Sequence, residues 1–425
     1  MAQESFLSDE FLRQLISVGE VDLLVGIASH NSDHANGRVM QATEEALLKN
    51  FPRDRAVIIN LGGASKAPSP ELLADPVPVT VAEVRNFESL RTLRRIAASV
   101  PGPAEAGTTL RTILAAADLL SARACAVVSD STEEVAPSWI DNLLRPIYRD
   151  GFDFVAPLYS RHKFDGLLAN NLLYPLTRAV YAKSFRELLA PEFAFSGRLA
   201  ARALSEEGWR EEAVRESGPL CMAVSALSSD YRCCQTFLGP KARVQPGTNV
   251  VSAIRHSVGG LFWCLDATAS SWLNPHQTAA VRTIGPDHEI SLEQIRVDRK
   301  KLLAMFRSGV AELSKILASI LAPDTHAELF KLLSLDEHEF FLSNPLWVRV
   351  IYEFAASYHH SILNRDHLVQ ALVPVYRGRS VSFLLRHRAS SLEEIEADTE
   401  DLCQEFARQK DYFLERWKTK GQGAS

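Results

Sequence analysis

The sequence predicts an α/β protein: a mainly parallel sheet with helices on both faces, followed by an all-helical C-terminal region. Short apolar runs alternate with segments of helical periodicity along the first 160 residues, which is typical of strand–helix–strand units. After about residue 286 the helical patterns continue with few candidate strands. A chain of 425 residues, 46% of them hydrophobic, is long enough for two domains. We therefore predict an α/β domain over residues 1–285 and a helical region over residues 286–425.

Each predicted strand is a nearly continuous apolar run, as expected of strands buried on both faces of a parallel sheet. These strands cover residues 21–28, 55–60, 124–128 and 153–158. Helical periodicity predicts helices in the first domain at residues 5–19, 37–50, 87–99, 109–122 and 137–148. In the C-terminal region it predicts helices within residues 290–320, 327–335, 345–362, 365–373 and 392–418. Several prolines within residues 64–80 indicate an irregular loop.

Charge and composition narrow the range of partners. A net charge of -6 gives no electrostatic reason to expect nucleic acid or an anionic membrane. The six cysteines show neither a Cys-x-x-Cys pair nor zinc spacing, so we expect reduced thiols. No apolar run is as long as a membrane span, and the N-terminal residues do not resemble a signal peptide. The sequence therefore predicts a cytoplasmic protein without a membrane span.

A dense polar cluster follows the apolar run at residues 153–158. It consists of Tyr159, Arg161, His162, Lys163 and Asp165. Side chains at the end of a parallel strand commonly face a ligand, and a guanidinium can bind a carboxylate or phosphate through two hydrogen bonds. The cluster therefore predicts an anion-binding pocket. The alternative is a solvated basic loop that pairs with neighbouring aspartates.

Other segments of the first domain carry short polar or glycine-containing motifs. Gly-Ile-Ala-Ser-His-Asn occupies residues 26–31, Asn-Leu-Gly-Gly-Ala-Ser residues 60–65, and Val-Val-Ser-Asp-Ser residues 127–131. Ala-Pro-Glu-Phe-Ala-Phe-Ser follows at residues 190–196, and Leu-Gly-Pro-Lys-Ala-Arg at residues 238–243. These motifs resemble those of nucleotide-sugar glycosyltransferases of the GT-A fold, a Rossmann-like architecture. Within the family 2-like glycosyltransferases, they are most similar to glucosyl-3-phosphoglycerate and mannosylglycerate synthases.

The resemblance implies a donor site and an acceptor site. It implies that the polar cluster binds a small acidic acceptor such as glycerate, and that Glu192 orients the acceptor hydroxyl as a catalytic residue. A hexose would be transferred from a nucleotide diphosphate with retention of configuration. The residues that the resemblance assigns to the donor are Ala28, Ser29, Asn31, Asn60 at the base edge, and Arg243 at the diphosphate.

The resemblance also implies Mg²⁺ or Mn²⁺, because related enzymes hold a divalent cation between the two acids of an Asp-x-Asp motif. Here Asp130 is the single acid of that motif, which makes a poor cation site by itself. Asp130 is nevertheless assigned as a catalytic residue and weak metal ligand, with Glu133 as a second weak ligand. The alternative for the following residues is a capping box formed by Ser131 and Glu134.

Two functions follow. The first is an active hexosyltransferase that uses a nucleotide sugar and a small acidic acceptor. The second is a catalytically inactive relative that acts as a binding or regulatory partner, because several carboxylates of the family pattern are replaced. A homodimer formed through the helical C-terminal region fits either function.

Overall fold

The computed structural model describes residues 7–29, 33–63, 93–100, 106–130, 135–205, 212–241, 250–273, 281–285 and 299–419. These residues divide into two compact units. The first contains the described residues of Met1–Ser160, Leu189–Ala242 and Val281–His288. The second contains those of Arg161–Leu188, Arg243–Ala280 and Glu289–Ser425. The predicted domains meet at residue 286, whereas the second unit also includes two earlier segments.

Strands and helices alternate through the first half of the chain. The strands are β1 Leu23–Ser29, β2 Ala56–Gly63, β3 Leu93–Val100, β4 Ala124–Ser129, β5 Phe154–Ser160, β6 Phe193–Ser196, β7 Cys233–Pro240 and β8 Arg282–Ile284. The first nine helices are α1 Asp9–Val18, α2 Asp33–Asn50, α3 Ala106–Leu119, α4 Pro137–Tyr148, α5 Tyr174–Tyr181, α6 Gly197–Ser205, α7 Glu212–Leu227, α8 Val250–Ala267 and α9 Ala269–Trp272. The later ones are α10 Arg299–Glu312, α11 Ser314–Ile320, α12 Pro323–Lys331, α13 Asn344–His359, α14 Arg365–Arg386, α15 Leu392–Arg408 and α16 Lys410–Lys418.

The described strands of the first unit form one sheet in the order β3-β2-β1-β4-β6-β5-β7-β8. All neighbouring strands are parallel except those that pair with β6, which runs antiparallel to β4 and β5. One face packs on α2 and α4 through the side chains of Val25, Ile58, Ala126 and Ile140. The other face carries α3, which packs together with α6 and α7. The predicted mainly parallel α/β sheet is therefore confirmed.

Four strands differ from the sequence-based expectation. The predicted helix over residues 87–99 is wrong from residue 93 onward, because Leu93–Val100 is β3. Ile96 is its one buried described side chain, while Arg94 and Arg95 are exposed. Such a pattern fits an edge strand as well as a helix, and parallel hydrogen bonding to β2 decides between them. Strands β6, β7 and β8 were not identified from the sequence.

The described elements of the second unit are helical. Aromatic rings join them, with Tyr352 of α13 stacked on Phe413 of α16 at 4.5 Å between ring centroids. Trp272 of α9 stacks on the same Phe413 ring at 5.4 Å. Glu353 lies fully buried in α13, where its carboxylate accepts hydrogen bonds from Ala322 N–H, Thr325 and Tyr412. None of the helices in the described part of the chain combines the length and apolar character needed to cross a bilayer.

Candidate functional site

The strand order of the sheet reverses between β1 and β4. From β1 the chain continues to β2 and then β3 on one side, and it returns to β4 on the other side of β1. Strands β2 and β4 run parallel to β1, so the carboxyl ends of all three strands lie at one edge of the sheet. In open α/β sheets, ligands bind outside the carboxyl ends of the strands where the strand order reverses in this way. The side chains at this edge therefore form the candidate site.

Ser29 and Asp130 meet at the carboxyl ends of β1 and β4. Ser29 is the last residue of β1, and its hydroxyl donates a hydrogen bond to Asp130 Oδ2 at 2.9 Å. The backbone N–H of Asp130 donates to the carbonyl of Ala28 at 3.2 Å. The Asp130 side chain is fully buried. Two predicted donor residues and the predicted catalytic acid thus lie together at the point where the strand order reverses.

Asn60 supplies a buried polar group near the carboxyl end of β2. It pairs with Ile27 of β1 and is only 2% exposed. Its Oδ1 has no hydrogen-bond partner in the described structure, and the same holds for Oδ1 of buried Asn36 in α2. A buried acceptor without a donor costs about 1–3 kcal/mol. A ligand with N–H groups would stabilise the protein by donating to either oxygen.

A second cluster at this edge surrounds Glu192, which directly precedes β6 and is fully buried. Its Oε2 accepts a hydrogen bond from the hydroxyl of Tyr159, in β5. Lys241 follows β7 and donates to the same oxygen at 3.0 Å. The Lys241 ammonium also lies 4.2 Å from the centroid of the Tyr159 ring. The Glu192 cluster, consisting of these three residues, therefore joins the ends of three neighbouring strands.

The basic residues after β5 belong to the second unit, and they have protein partners there. Arg161 forms a two-pronged ion pair with Glu187, with nitrogen–oxygen distances of 2.5 and 2.7 Å. Lys163 donates to the carbonyls of His387, Arg388 and Ser390 at 3.0–3.4 Å. These contacts lie among residues of the second unit, whereas Tyr159 belongs to the first. The anion pocket remains a prediction.

Two local hydrogen bonds hold the neighbouring turn. His162 Nδ1 accepts a hydrogen bond from the N–H of Phe164 at 3.2 Å. The N–H of Asp165 donates to the carbonyl of His162 at 2.8 Å. Asp153, which precedes β5, binds Arg198 of α6. The solvated basic loop stays an alternative prediction.

The described residues do not fit a divalent cation. Asp130 is the one acid that the Asp-x-Asp position offers, and it is bonded to Ser29. Glu192 at the same edge is paired with Lys241. Within the described ranges, no three His, Cys, Asp or Glu side chains are grouped as a cation site would require. Glu133, Asn31 and Arg243 lie outside the described residues, so their assignments stay predictions.

Sequence reasoning missed Lys241 as a member of the site. The signal was its position directly after the strand at residues 233–240, in the motif Leu-Gly-Pro-Lys-Ala-Arg. That motif was considered only for Arg243. Because β7 was not identified, nothing indicated that the lysine lies at the end of a strand and beside Glu192.

Comparisons with known proteins give limited information. No family model matches the sequence, and no curated protein matches it. One similar solved structure is described as a mycobacterial protein; it is 16% identical, the match covers 59% of this chain and 77% of that chain, and the TM-score is 0.41. Another is glucosyl-3-phosphoglycerate synthase from Mycobacterium tuberculosis in complex with phosphoglyceric acid. It is 15% identical, the match covers 64% of this chain and 86% of that chain, and the TM-score is 0.34. At these values neither structure assigns an activity to this chain.

Proposed function

We propose that the chain is a GT-A-type glycosyltransferase that transfers a hexose from a nucleotide-diphosphate sugar to a small acidic acceptor, with retention of configuration. The observation that carries the proposal is the meeting of Ser29 and Asp130 where the strand order reverses. The motifs at the ends of β1, β2 and β4 resemble those of this class of enzyme. Asn60, with its buried acceptor oxygen, stands at the position that the resemblance assigns to the base.

The proposed roles follow from the chemistry of each group. The Asn60 amide oxygen accepts a hydrogen bond from a base N–H, which removes the cost of its unpaired burial. Ser29 and Asp130 border the diphosphate and sugar at the carboxyl ends of β1 and β4. The leaving nucleotide diphosphate gains charge as the bond from the anomeric carbon to its oxygen breaks, and Arg243 is the proposed cationic group that stabilises it. Glu192 holds its carboxylate in place through Tyr159 and Lys241 and orients the acceptor hydroxyl.

The acceptor site remains part of the proposal. Arg161, His162, Lys163 and Asp165 are proposed to bind the acceptor carboxylate or phosphate. Arg161 and Lys163 already have protein partners, so acceptor binding would have to exchange those contacts for contacts with the ligand. Replacing Glu187 by Gln would weaken the competing ion pair and should strengthen acceptor binding.

Calorimetric titration with UDP and GDP, with and without Mn²⁺, tests the donor site. Micromolar binding, corresponding to about -8 kcal/mol, is the expected result. Asn60→Leu should weaken this binding about tenfold, since it removes one buried hydrogen bond worth roughly 1.5 kcal/mol. Asn50→Leu makes the same substitution at the last residue of α2; it is the matched control and should bind normally. If neither nucleotide binds, the donor-site proposal is wrong.

A second candidate function is a catalytically inactive relative that binds nucleotide or protein as a regulator. It is favoured by the single acid at the Asp-x-Asp position and by the absence of grouped metal ligands among the described residues. Nucleotide binding without consumption of UDP- or GDP-hexose, across a panel of glycerate-like acceptors and divalent cations, would support it. Turnover by the purified protein would exclude it.

A further inference from the structure

A cleft lies at the opposite edge of the sheet from the candidate site. It has a volume of about 570 Å³ and is bordered by the turns that lead into β4 and β5 and by the junction of β6 with α6. We call it the amino-edge cleft; its charged lining residues are Arg123, Arg149, Arg198, Asp118 and Asp153. All of them belong to the first unit. None of them is part of the proposed donor or acceptor site.

The backbone brings these turns very close together. A Cβ atom on Gly197 would lie 2.1 Å from the carbonyl oxygen of Ala122, so only glycine fits where α6 begins. Gly151 has a φ of 71°, which lets the turn after α4 reverse sharply into β5. This close approach places Arg123, which precedes β4, and Arg149, which follows α4, at the same cleft.

All three guanidinium groups contact aromatic rings, and that of Arg198 lies 5.4 Å from the ring centroid of Tyr231. Arg123 lies 4.6 Å from the ring centroid of Tyr148 and donates to its hydroxyl at 3.3 Å. Arg149 lies 5.7 Å from the ring centroid of Phe51 and donates to the carbonyl of Asn50 at 3.2 Å. The Tyr148 and Phe51 rings are neighbours, with centroids 6.2 Å apart. Contact with a ring restrains a guanidinium without neutralising its charge.

The acids around the cleft pair with part of this charge. Asp153 is buried and binds Arg198 through two hydrogen bonds, so these two charges neutralise each other. Asp118 lies at the exposed rim. Arg123 forms a loose ion pair with Asp22, with 3.7 Å between nitrogen and oxygen. The residues that line the cleft thus include three arginines and two aspartates, and we assign the positive excess mainly to Arg123 and Arg149.

We propose that the amino-edge cleft binds a small organic phosphate. The phosphate group binds to the guanidinium groups of Arg123 and Arg149, whose planar arrays of donors match phosphate oxygens. The organic part packs against Ile147 and Phe152, which also line the cleft. This site lies at the amino ends of β4 and β5, so its ligand is distinct from a nucleotide held at the carboxyl ends.

Calorimetric titration with phenyl phosphate and with inorganic phosphate tests the proposal. Saturable binding is expected, tighter for phenyl phosphate because its ring adds apolar contact. Arg123→Gln and Arg149→Gln should each weaken binding by about tenfold, as loss of a charged hydrogen-bond donor implies. Asp118→Asn removes the rim acid and should strengthen binding. Arg94→Gln makes the same charge change on exposed β3 and should leave binding unchanged.

The outcomes separate this site from the proposed donor site. Loss of phenyl phosphate binding in the Arg123 and Arg149 variants, with UDP or GDP binding unchanged, supports a separate phosphate site. Binding that all variants retain, or that Arg94→Gln weakens equally, overturns the proposal. Absence of saturable binding to the wild-type protein overturns it as well. The thermal unfolding midpoint of each variant shows whether it is folded. Because Asp118→Asn is expected to strengthen phosphate binding, the test does not depend on variants that lose binding.

Discussion

Lys241→Met should destabilise the first unit strongly. The substitution removes the ammonium group from the Glu192 carboxylate, whose side chain is fully buried, while the tyrosine hydrogen bond remains. Breaking a buried ion pair by removing one partner costs about 3–5 kcal/mol. The Lys241 side chain keeps 12% of its surface exposed, so we expect the lower end, about 3 kcal/mol.

A double-mutant cycle measures the interaction itself. Urea unfolding followed by circular dichroism gives the free energy of unfolding for the wild type, Lys241→Met, Glu192→Gln and the double variant. The destabilisation of the double variant should be smaller than the sum of the two single destabilisations by about 2 kcal/mol, since neither charge is then left buried alone. Lys49→Met, on the exposed face of α2, is the control and should change stability by about 0.5 kcal/mol or less. A cost below about 1 kcal/mol for Lys241→Met, or additive effects in the cycle, would refute the reasoning.

Three further predictions concern stability. Burial opposes ionisation of Asp153, but hydrogen bonds from Arg198, Ser196 and a backbone N–H outweigh it and lower its pKa. The ionised Asp153 therefore stabilises the protein above the unfolded pKa of about 3.9, and this stabilisation is lost as the pH falls through the folded pKa. Asp153→Asn should reduce the loss of unfolding free energy on the acid side of a pH–stability curve. Gly197→Ala should lower the free energy of unfolding by about 3 kcal/mol, because the added Cβ would clash with Ala122. Gly37→Ala places its Cβ where no atom lies within 4 Å, so it should stabilise α2 by about 0.5–1 kcal/mol in urea unfolding. Glu353→Ala removes an acceptor of three hydrogen bonds and should lower the free energy of unfolding of the second unit by about 3 kcal/mol; a change below about 1 kcal/mol would contradict this.

The repeating strands and helices could be predicted because buried parallel strands have continuous apolar runs in their sequences. The strand at residues 124–128 and the helix at 137–148 appear in the structure as Ala124–Ser129 and Pro137–Tyr148. Edge strands are less legible, since half of their side chains can be polar. The pattern over residues 87–99 therefore predicts a helix, and only pairing with β2 shows that Leu93–Val100 is a strand.

The position of three proposed donor-site residues at one edge of the sheet was predictable for the same reason. Ser29, Asn60 and Asp130 each lie at or near the carboxyl end of a legible strand, so the parallel topology brings them to one edge. The Glu192 cluster was only partly predictable. Its members come from three strands and are far apart in the sequence, and antiparallel β6 brings Glu192 to the edge where parallel strands end.

The most direct test of the central claim is a crystal structure of the protein with UDP or GDP bound. We predict nucleotide density at the carboxyl ends of β1 and β4, with the base N–H groups donating to Asn60 and the diphosphate beside Ser29 and Asp130. Nucleotide found only at the amino-edge cleft, or no ordered nucleotide at a saturating concentration, would contradict the proposed donor site.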